Sequence, residues 1–384
     1  MKRLFVLFIG MLTLSIAVHA QRLRGPDNYV TIKGTLGTHV FNNGGKWFND
    51  YLFGADVTLS TDLSNRQEHW IKFLRAKRSG FEIAYRNLRA LDGYADTAKN
   101  SFGELIGVLE NISFLLFTNN NSFNLSLKTG AGIAVVTKTW FNDYQNIFMG
   151  SYLNTTLKGD LEAEFYNSRK YRTILSVGFF HVSNGGIIIP NRGLNLLNAS
   201  LGFMYGMKPN KVAPCPEVNP IMEPIRHSFD IAFGAGVRGV PYSLNGALKG
   251  GAILTYNYHI NPTLIIKFSG DAVYNSVLYN PTDEKTDQFF GSSYEHWRAG
   301  ISTGIEFNLD PFCVGVSIGK YLYNKSPFDI QYYWSTQAKY FFNSRWGIHY
   351  TMYSHRYAAD FFEIGPVFRL FTIRKRDTRF RNYE

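Results

Sequence analysis

A histidine and a serine stand two residues apart in the stretch FFHVSNGGIIIPNRGLN, residues 179–195. A neutral imidazole at His181 can take the hydroxyl proton while Ser183 attacks an ester carbonyl, as in serine hydrolases. Backbone amides of the loop, at Asn184 and Asn191, can donate hydrogen bonds to the oxyanion that forms. The same residue types also favour an ordinary turn. On residue chemistry alone, the stretch is compatible with a hydrolase site and with a plain loop.

The N-terminus, MKRLFVLFIGMLTLSIAVHAQ, determines where this loop would work. Lys2 and Arg3 precede an apolar run over residues 4–18, and small residues stand at positions 18 and 20. This pattern is typical of a secretory signal peptide, so residues 1–20 are expected to be removed. The sequence therefore predicts an exported protein.

Composition narrows the class of the exported chain. Aromatic residues make up 16% and charged residues 18%, with 35 glycines, which fits a β-rich protein. Beyond residue 20 no run of 18 apolar residues predicts a membrane-spanning helix. Loss of Lys2 and Arg3 lowers the formal net charge from +11 to +9. For an exported protein, this excess predicts anionic lipid headgroups as partners and no nucleic acid.

Alternation along the chain predicts the fold. In YLNTTLKGDLEAEF, residues 152–165, leucine, alanine and phenylalanine occupy odd positions, whereas most even positions are polar or charged. Such runs exceed ten residues, which suits a tilted membrane-crossing strand better than a globular strand. The pattern indicates an all-β, antiparallel transmembrane β-barrel with lipid outside and water inside.

The strand predictions number sixteen, and because one or two can merge, about 14–16 strands are expected. One larger barrel over residues 21–371 is favoured over two barrels, since two would need separate closure and more linker. A basic tail follows at residues 372–384. The predicted strands are 29–40, 50–60, 81–89, 103–117, 122–137, 152–167, 171–183, 194–208, 226–240, 248–260, 263–275, 294–309, 312–324, 331–342, 346–355 and 361–371.

Two long connections, 61–80 and 209–225, are predicted on the periplasmic side. Cys215 lies in the second connection, and Cys313 opens a later strand at the same end. In an oxidising compartment the two thiols can form a disulfide. Two unpaired thiols are the alternative.

The predicted hairpin that contains the opening stretch has one apolar face. Parity along strands 171–183 and 194–208 places His181, Ser183 and Asn195 on that lipid-facing surface, at its outer end. Polar groups in lipid cost free energy unless they lie near the interface, are paired or are functional. Their position therefore favours a site that a lipid substrate reaches sideways.

His-x-Ser-Asn-Gly followed by Pro-Asn-x-Gly resembles the motif of the lipid A 3-O-deacylase (PagL) / acyloxyacyl hydrolase family of outer-membrane barrels. The resemblance extends more loosely over residues 29–208, leaving 226–371 as additional strands. It implies an outer-membrane esterase that removes an ester-linked acyl chain from lipid A, the membrane part of lipopolysaccharide, in the outer leaflet. It also implies His181 as general base and Ser183 as nucleophile, with oxyanion or loop-shaping roles for Asn184, Gly186 and Asn191.

Two departures from this family stand out. The family's acid is a glutamate fourteen residues after the histidine, and Asn195 occupies that position here. An asparagine can orient an imidazole through its amide oxygen but cannot offset the imidazolium charge. The nearby carboxylates face inward by parity, which favours a water-lined column: Asp160, Glu162 and Glu164. The second departure is length, because the family is typically an eight-stranded barrel.

An esterase with Asn195 in a supporting catalytic role is therefore the leading hypothesis. The alternative is a non-enzymatic channel or envelope-structural barrel with a degenerate site. A soluble periplasmic β-protein is a third option, which a continuous apolar exterior belt would exclude. No cofactor is expected, and nine scattered histidines show no metal-ligand spacing.

Overall fold

The computed structural model of the protein describes residues 28–40, 51–91, 102–119, 122–168, 170–207, 225–241, 244–282, 291–356 and 358–374. Within these ranges the chain forms sixteen antiparallel strands and one short helix. No helix in the described ranges is long and apolar enough to cross a membrane. The predicted signal peptide, Cys215 and residues 375–384 of the predicted tail lie outside these ranges.

The first eight strands close into one antiparallel barrel, in which β8 returns to pair with β1 from Tyr29↔Gly206 to His39↔Leu196. The helix α1, His69–Phe73, lies in the connection between the second and third strands. The strands are β1 Asn28–His39, β2 Tyr51–Asp62, β3 Ala76–Asn87, β4 Glu104–Asn119, β5 Phe123–Val136, β6 Leu153–Tyr166, β7 Tyr171–Ser183 and β8 Leu194–Gly206.

The next eight strands close into a second barrel, through pairing of the last strand with the ninth. They are β9 Ile225–Gly239, β10 Gly246–His259, β11 Leu264–Asn275, β12 Trp297–Asn308, β13 Phe312–Tyr323, β14 Tyr332–Phe341, β15 Trp346–His355 and β16 Ala358–Arg374.

The fold class is confirmed, and the described residues form sixteen strands, as predicted, but the expectation of a single larger barrel is wrong. Strand β8 pairs with β1, so the first sheet closes before β9 begins. Alternation reports which face a residue takes, but it does not report which strand lies alongside. Closure at eight strands leaves a lumen that side chains alone can fill.

The chain also separates into two compact units by its contacts. Residues 147–150 and 183–192 belong to the same unit as residues 219–384, whereas the remaining residues of 1–218 form the other unit. The loop that joins β7 to β8 is therefore part of the unit that contains β9 to β16.

Paired charges fill the described lumen of the first barrel. Lys33 Nζ lies 3.1 Å from Asp160 Oδ2 and 2.8 Å from Glu162 Oε1. Lys158 Nζ lies 2.6 Å from Glu82 Oε1, and all five side chains are buried. Asp160, Glu162 and also Glu164 thus face inward as parity predicted, but as members of ion pairs.

The outer surface of the first barrel is apolar on alternate positions. Along β7, Leu175, Val177 and Phe179 are exposed, whereas Phe180 and Val182 are fully buried. Exposed large hydrophobic side chains recur on the strands of both barrels. This exterior fits lipid contact and excludes the soluble periplasmic alternative.

The predicted third strand starts five residues too late. Strand β3 begins at Ala76. Its first residues were not predicted as strand because they include charged side chains, and these side chains are directed into the lumen. Arg78 is buried there and pairs with Glu164. A charged residue in a strand therefore marks the lumen face here and does not mark a loop.

Cys313 lies buried near the start of β13, where it has no disulfide partner among the described residues, and its Sγ donates to Asn308 Oδ1 at 3.5 Å. Because Cys215 lies outside the described residues, the predicted disulfide stays a prediction.

Candidate functional site

The hairpin formed by β7 and β8 carries the predicted catalytic residues on its outer face. His181 and Asn195 are direct cross-strand partners. Both are half-buried, as is Ser183 two residues further along β7. They continue the outward-facing series of Val177 and Phe179, in agreement with the predicted parity. The structure thus places all three on the outer face of the barrel strands, at the loop end of the hairpin.

A hydrogen bond of 2.7 Å joins His181 Nδ1 to Asn195 Oδ1. An amide oxygen only accepts hydrogen bonds, so this contact requires the imidazole proton on Nδ1. The other ring nitrogen, Nε2, then carries a lone pair and can act as a base. Asn195 therefore orients the ring and selects its tautomer without contributing a negative charge.

The Ser183 hydroxyl accepts two hydrogen bonds from the loop that follows it. Gly185 N donates to Ser183 Oγ at 3.1 Å, and Asn191 Nδ2 donates at 2.9 Å. A hydroxyl has two acceptor positions and one donor. The loop thus supplies a donor to each acceptor position, and the O–H proton is the group that a base can take.

Asn184 shapes the loop. Its Nδ2 donates to Ile188 O at 2.8 Å, and its Oδ1 accepts from Gly186 N at 2.9 Å. Gly185 and Gly186 have φ angles of 66° and 88°, a region that favours glycine. The buried Asn184 amide therefore holds a turn that needs both glycines.

The predicted oxyanion donors behave differently from one another. The backbone N–H of Asn184 points to Asn191 Oδ1 at 3.4 Å, while the Asn191 side chain reaches Ser183. Sequence reasoning missed Gly185, whose N–H contacts the serine oxygen directly. Its position two residues after the serine was the available signal, since a serine oxygen commonly accepts from the amide two residues on.

Carboxylates and metal ligands are the two other kinds of group that could take part in the chemistry of the site. The carboxylates considered as substitutes for the missing acid, Asp160, Glu162 and Glu164, are buried in the lumen and paired with cations. Among the residues that the structure describes, no group of three or more His, Cys, Asp or Glu side chains can hold a metal ion. The hairpin therefore supplies a serine, an imidazole and amides as its reactive groups.

Two family models match consecutive parts of the chain. The model described as lipid A 3-O-deacylase (PagL) matches residues 28–204, and the model described as acyloxyacyl hydrolase, C-terminal domain, matches residues 227–374. The first match covers β1 to nearly the end of β8, and the second covers most of β9 and runs to the end of β16. Together they span nearly all of the described chain.

Solved structures of outer-membrane barrels are also similar. Neisserial surface protein A is 10% identical, with 47% of this chain and 96% of that chain covered and a TM-score of 0.31. Ail, the attachment invasion locus protein of Yersinia pestis, is 12% identical, with 48% and 99% covered and a TM-score of 0.27. No curated protein matches the chain significantly. At these TM-scores the likenesses do not bear on function.

Proposed function

The chain belongs to the lipid A 3-O-deacylase (PagL) / acyloxyacyl hydrolase family of outer-membrane barrels, and on that premise we propose that Ser183 hydrolyses an ester-linked acyl chain of lipid A. The family supports a lipid A deacylase function at the outer membrane. The observation that carries the residue assignment is the 2.7 Å bond between His181 Nδ1 and Asn195 Oδ1 on the outer face of the hairpin.

In the first step, His181 Nε2 takes the proton of Ser183 Oγ while the oxygen attacks the ester carbonyl. The tetrahedral intermediate collapses when the imidazolium gives that proton to the oxygen of the lipid A hydroxyl, which leaves. Water then attacks the acyl-serine with His181 again as base, and a fatty acid is released. The serine and the neutral imidazole are regenerated.

Asn195 orients the base but provides no negative charge. Its amide oxygen keeps the proton on Nδ1, so that Nε2 is left without a proton and can serve as the base. A carboxylate at this position would also stabilise the imidazolium that forms in each step. We therefore expect a hydrolase whose base is well oriented and only weakly stabilised in its charged form.

The location of the hairpin matches a lipid substrate. His181, Ser183 and Asn195 lie in one surface with exposed Val177 and Phe179. An acylated lipid in the outer leaflet reaches such a surface by lateral diffusion, without entering the lumen. Lipid A and lipopolysaccharide are therefore the proposed partners.

Mass spectrometry of lipid A from cells that express the wild type or Ser183→Ala tests the proposal. The wild type is expected to remove one acyl chain, and Ser183→Ala to leave lipid A intact. Ser176→Ala is the matched control, because Ser176 lies on the same strand but is buried in the lumen. Identical lipid A in all three strains, with each protein folded in the outer membrane, would refute the proposal.

A further inference from the structure

The segment 183–192, called here the nucleophile loop, packs against β9 and β16, and these belong to the same compact unit. We propose that β9 and β16 position Ser183 by holding the nucleophile loop, with Gly239 and Arg238 as positioning residues. This inference rests on the proposed function, because it assigns the second barrel a part in the same reaction.

A backbone hydrogen bond ties the loop to the end of β9. Gly239 N donates to Gly186 O at 2.8 Å. Ile188 and Ile189 of the loop are buried, each less than 10% exposed. A loop that buries two isoleucines and bonds its backbone to a strand is anchored, because freeing it would expose apolar surface and break that bond.

The contact at Gly239 leaves no room for a side chain. A Cβ placed there would lie 2.8 Å from Ile187 O, 3.0 Å from Ile188 Cα and 3.0 Å from Ile189 N. All three are backbone atoms of the nucleophile loop. Because backbone cannot rotate away as a side chain can, any added atom must displace the loop itself.

Arg238 supports the loop from beside Gly239. Its Nη1 donates to Ala359 O and Asp360 O, both at 2.9 Å, and so links β9 to β16. A Cβ at Gly186 would lie 2.5 Å from this same Nη1. The guanidinium therefore fills the space directly under the turn of the loop.

A short chain of hydrogen bonds connects the anchored residue Gly186 to the nucleophile Ser183. Asn184 bridges Gly186 N and Ile188 O through its side chain. Gly185, which lies between Asn184 and Gly186, donates its backbone N–H to Ser183 Oγ at 3.1 Å. A shift of the loop at Gly186 is therefore passed to the donor that holds the serine oxygen.

Gly239→Ala tests the inference, with Gly270→Ala as its matched control. Gly270 lies on β11 of the same barrel, and a Cβ there meets no described atom within 4 Å. A misplacement of about 1 Å can cost about hundredfold in rate. We expect Gly239→Ala to lower kcat about tenfold to hundredfold with little change in KM, and Gly270→Ala to retain wild-type values.

Hydrogen–deuterium exchange provides a second readout that does not need activity. In detergent, Gly239→Ala is expected to speed exchange of the backbone amides of the nucleophile loop, whereas Gly270→Ala is not. Should Gly239→Ala fail to fold, Arg238→Met takes its place with the same expectation, because it removes the donors without adding bulk at Gly239.

The outcomes separate this inference from the proposed function. Wild-type exchange and wild-type kcat in a folded Gly239→Ala would overturn the anchoring role. Faster exchange in a chain whose wild type does not deacylate lipid A would support the anchoring and refute the esterase proposal. Faster exchange together with a selective loss of kcat would support both.

Discussion

Each barrel contains a serine and a histidine close together, and the two pairs differ in where they face. In the second barrel, Ser228 Oγ lies 3.1 Å from His259 Nε2, and Asn257 Nδ2 donates to Ser228 Oγ at 3.2 Å. In this pair the serine oxygen and an imidazole nitrogen are joined by a direct hydrogen bond. Ser228, however, is 0% exposed and points into the lumen, whereas Ser183 is half-buried on the outer surface. A hydrogen bond between serine and histidine is therefore not enough to mark a candidate site, because a lipid substrate must also be able to reach the serine.

The two lumens differ as well. The first holds a network of paired ions, whereas the second combines charged pairs with stacked rings. Tyr321 and Tyr333 have ring centroids 4.6 Å apart, and Tyr353 and Phe361 have centroids 5.1 Å apart. Rings packed in a lumen favour a supporting role over ion conduction, which agrees with a second barrel that anchors a loop.

The largest expected effect distinguishes the two histidines. His181→Ala is expected to lower the deacylation rate about a thousandfold, because the base is lost. His259→Ala, the counterpart in the second barrel, is expected to stay within about twofold of the wild type. The measurement is the initial rate of fatty acid release from lipid A in detergent. A large loss in His259→Ala alone would reverse the assignment of the two pairs.

An intermediate effect is expected at the residue that orients the base. Asn195→Ala removes the acceptor of the His181 proton, so we expect kcat to fall about tenfold to hundredfold. Asn195→Glu is expected to raise kcat, because a carboxylate also stabilises the imidazolium. Asn198→Ala is the control, since in the described part of the chain neither polar side-chain atom of Asn198 has a hydrogen-bond partner. Equal rates in the wild type and in all three variants would show that Asn195 has no part in the mechanism.

The last comparison concerns stability and contrasts two carboxylates of β16. Asp360 pairs with Lys249 at 2.6 Å and with Arg298, whereas neither oxygen of Glu363 has a hydrogen-bond partner among the described residues. Asp360→Asn leaves two buried cations undercompensated, so we expect the free energy of unfolding to fall by about 3 kcal/mol. Glu363→Gln is expected to unfold at the same urea concentration as the wild type or a higher one. Lower stability in Glu363→Gln would indicate an interaction of that carboxylate outside the described contacts.

Alternation in the sequence predicted the strands and the faces of His181, Ser183 and Asn195, because side-chain direction along a strand depends only on parity. Barrel closure could not be predicted this way, since the pairing of β1 with β8 joins segments more than 150 residues apart. The contact of Gly239 with the nucleophile loop was missed for the same reason. No local pattern around residue 239 reports that a backbone from residues 187–189 lies against it.

The pairing of β8 with β1, which closes the first barrel and is called here its seam, also has a consequence for biogenesis. Asn195 stands on β8, the strand that closes against β1, and its carbonyl accepts from Val40 N at 2.9 Å. The residue that orients the base is therefore held on one side by its partner strand in the hairpin and on the other by the first strand of this barrel. A chain in transit through the periplasm carries the serine and the histidine before this seam exists. The second of these supports would thus form at the end of insertion, in the membrane that contains the proposed lipid substrate.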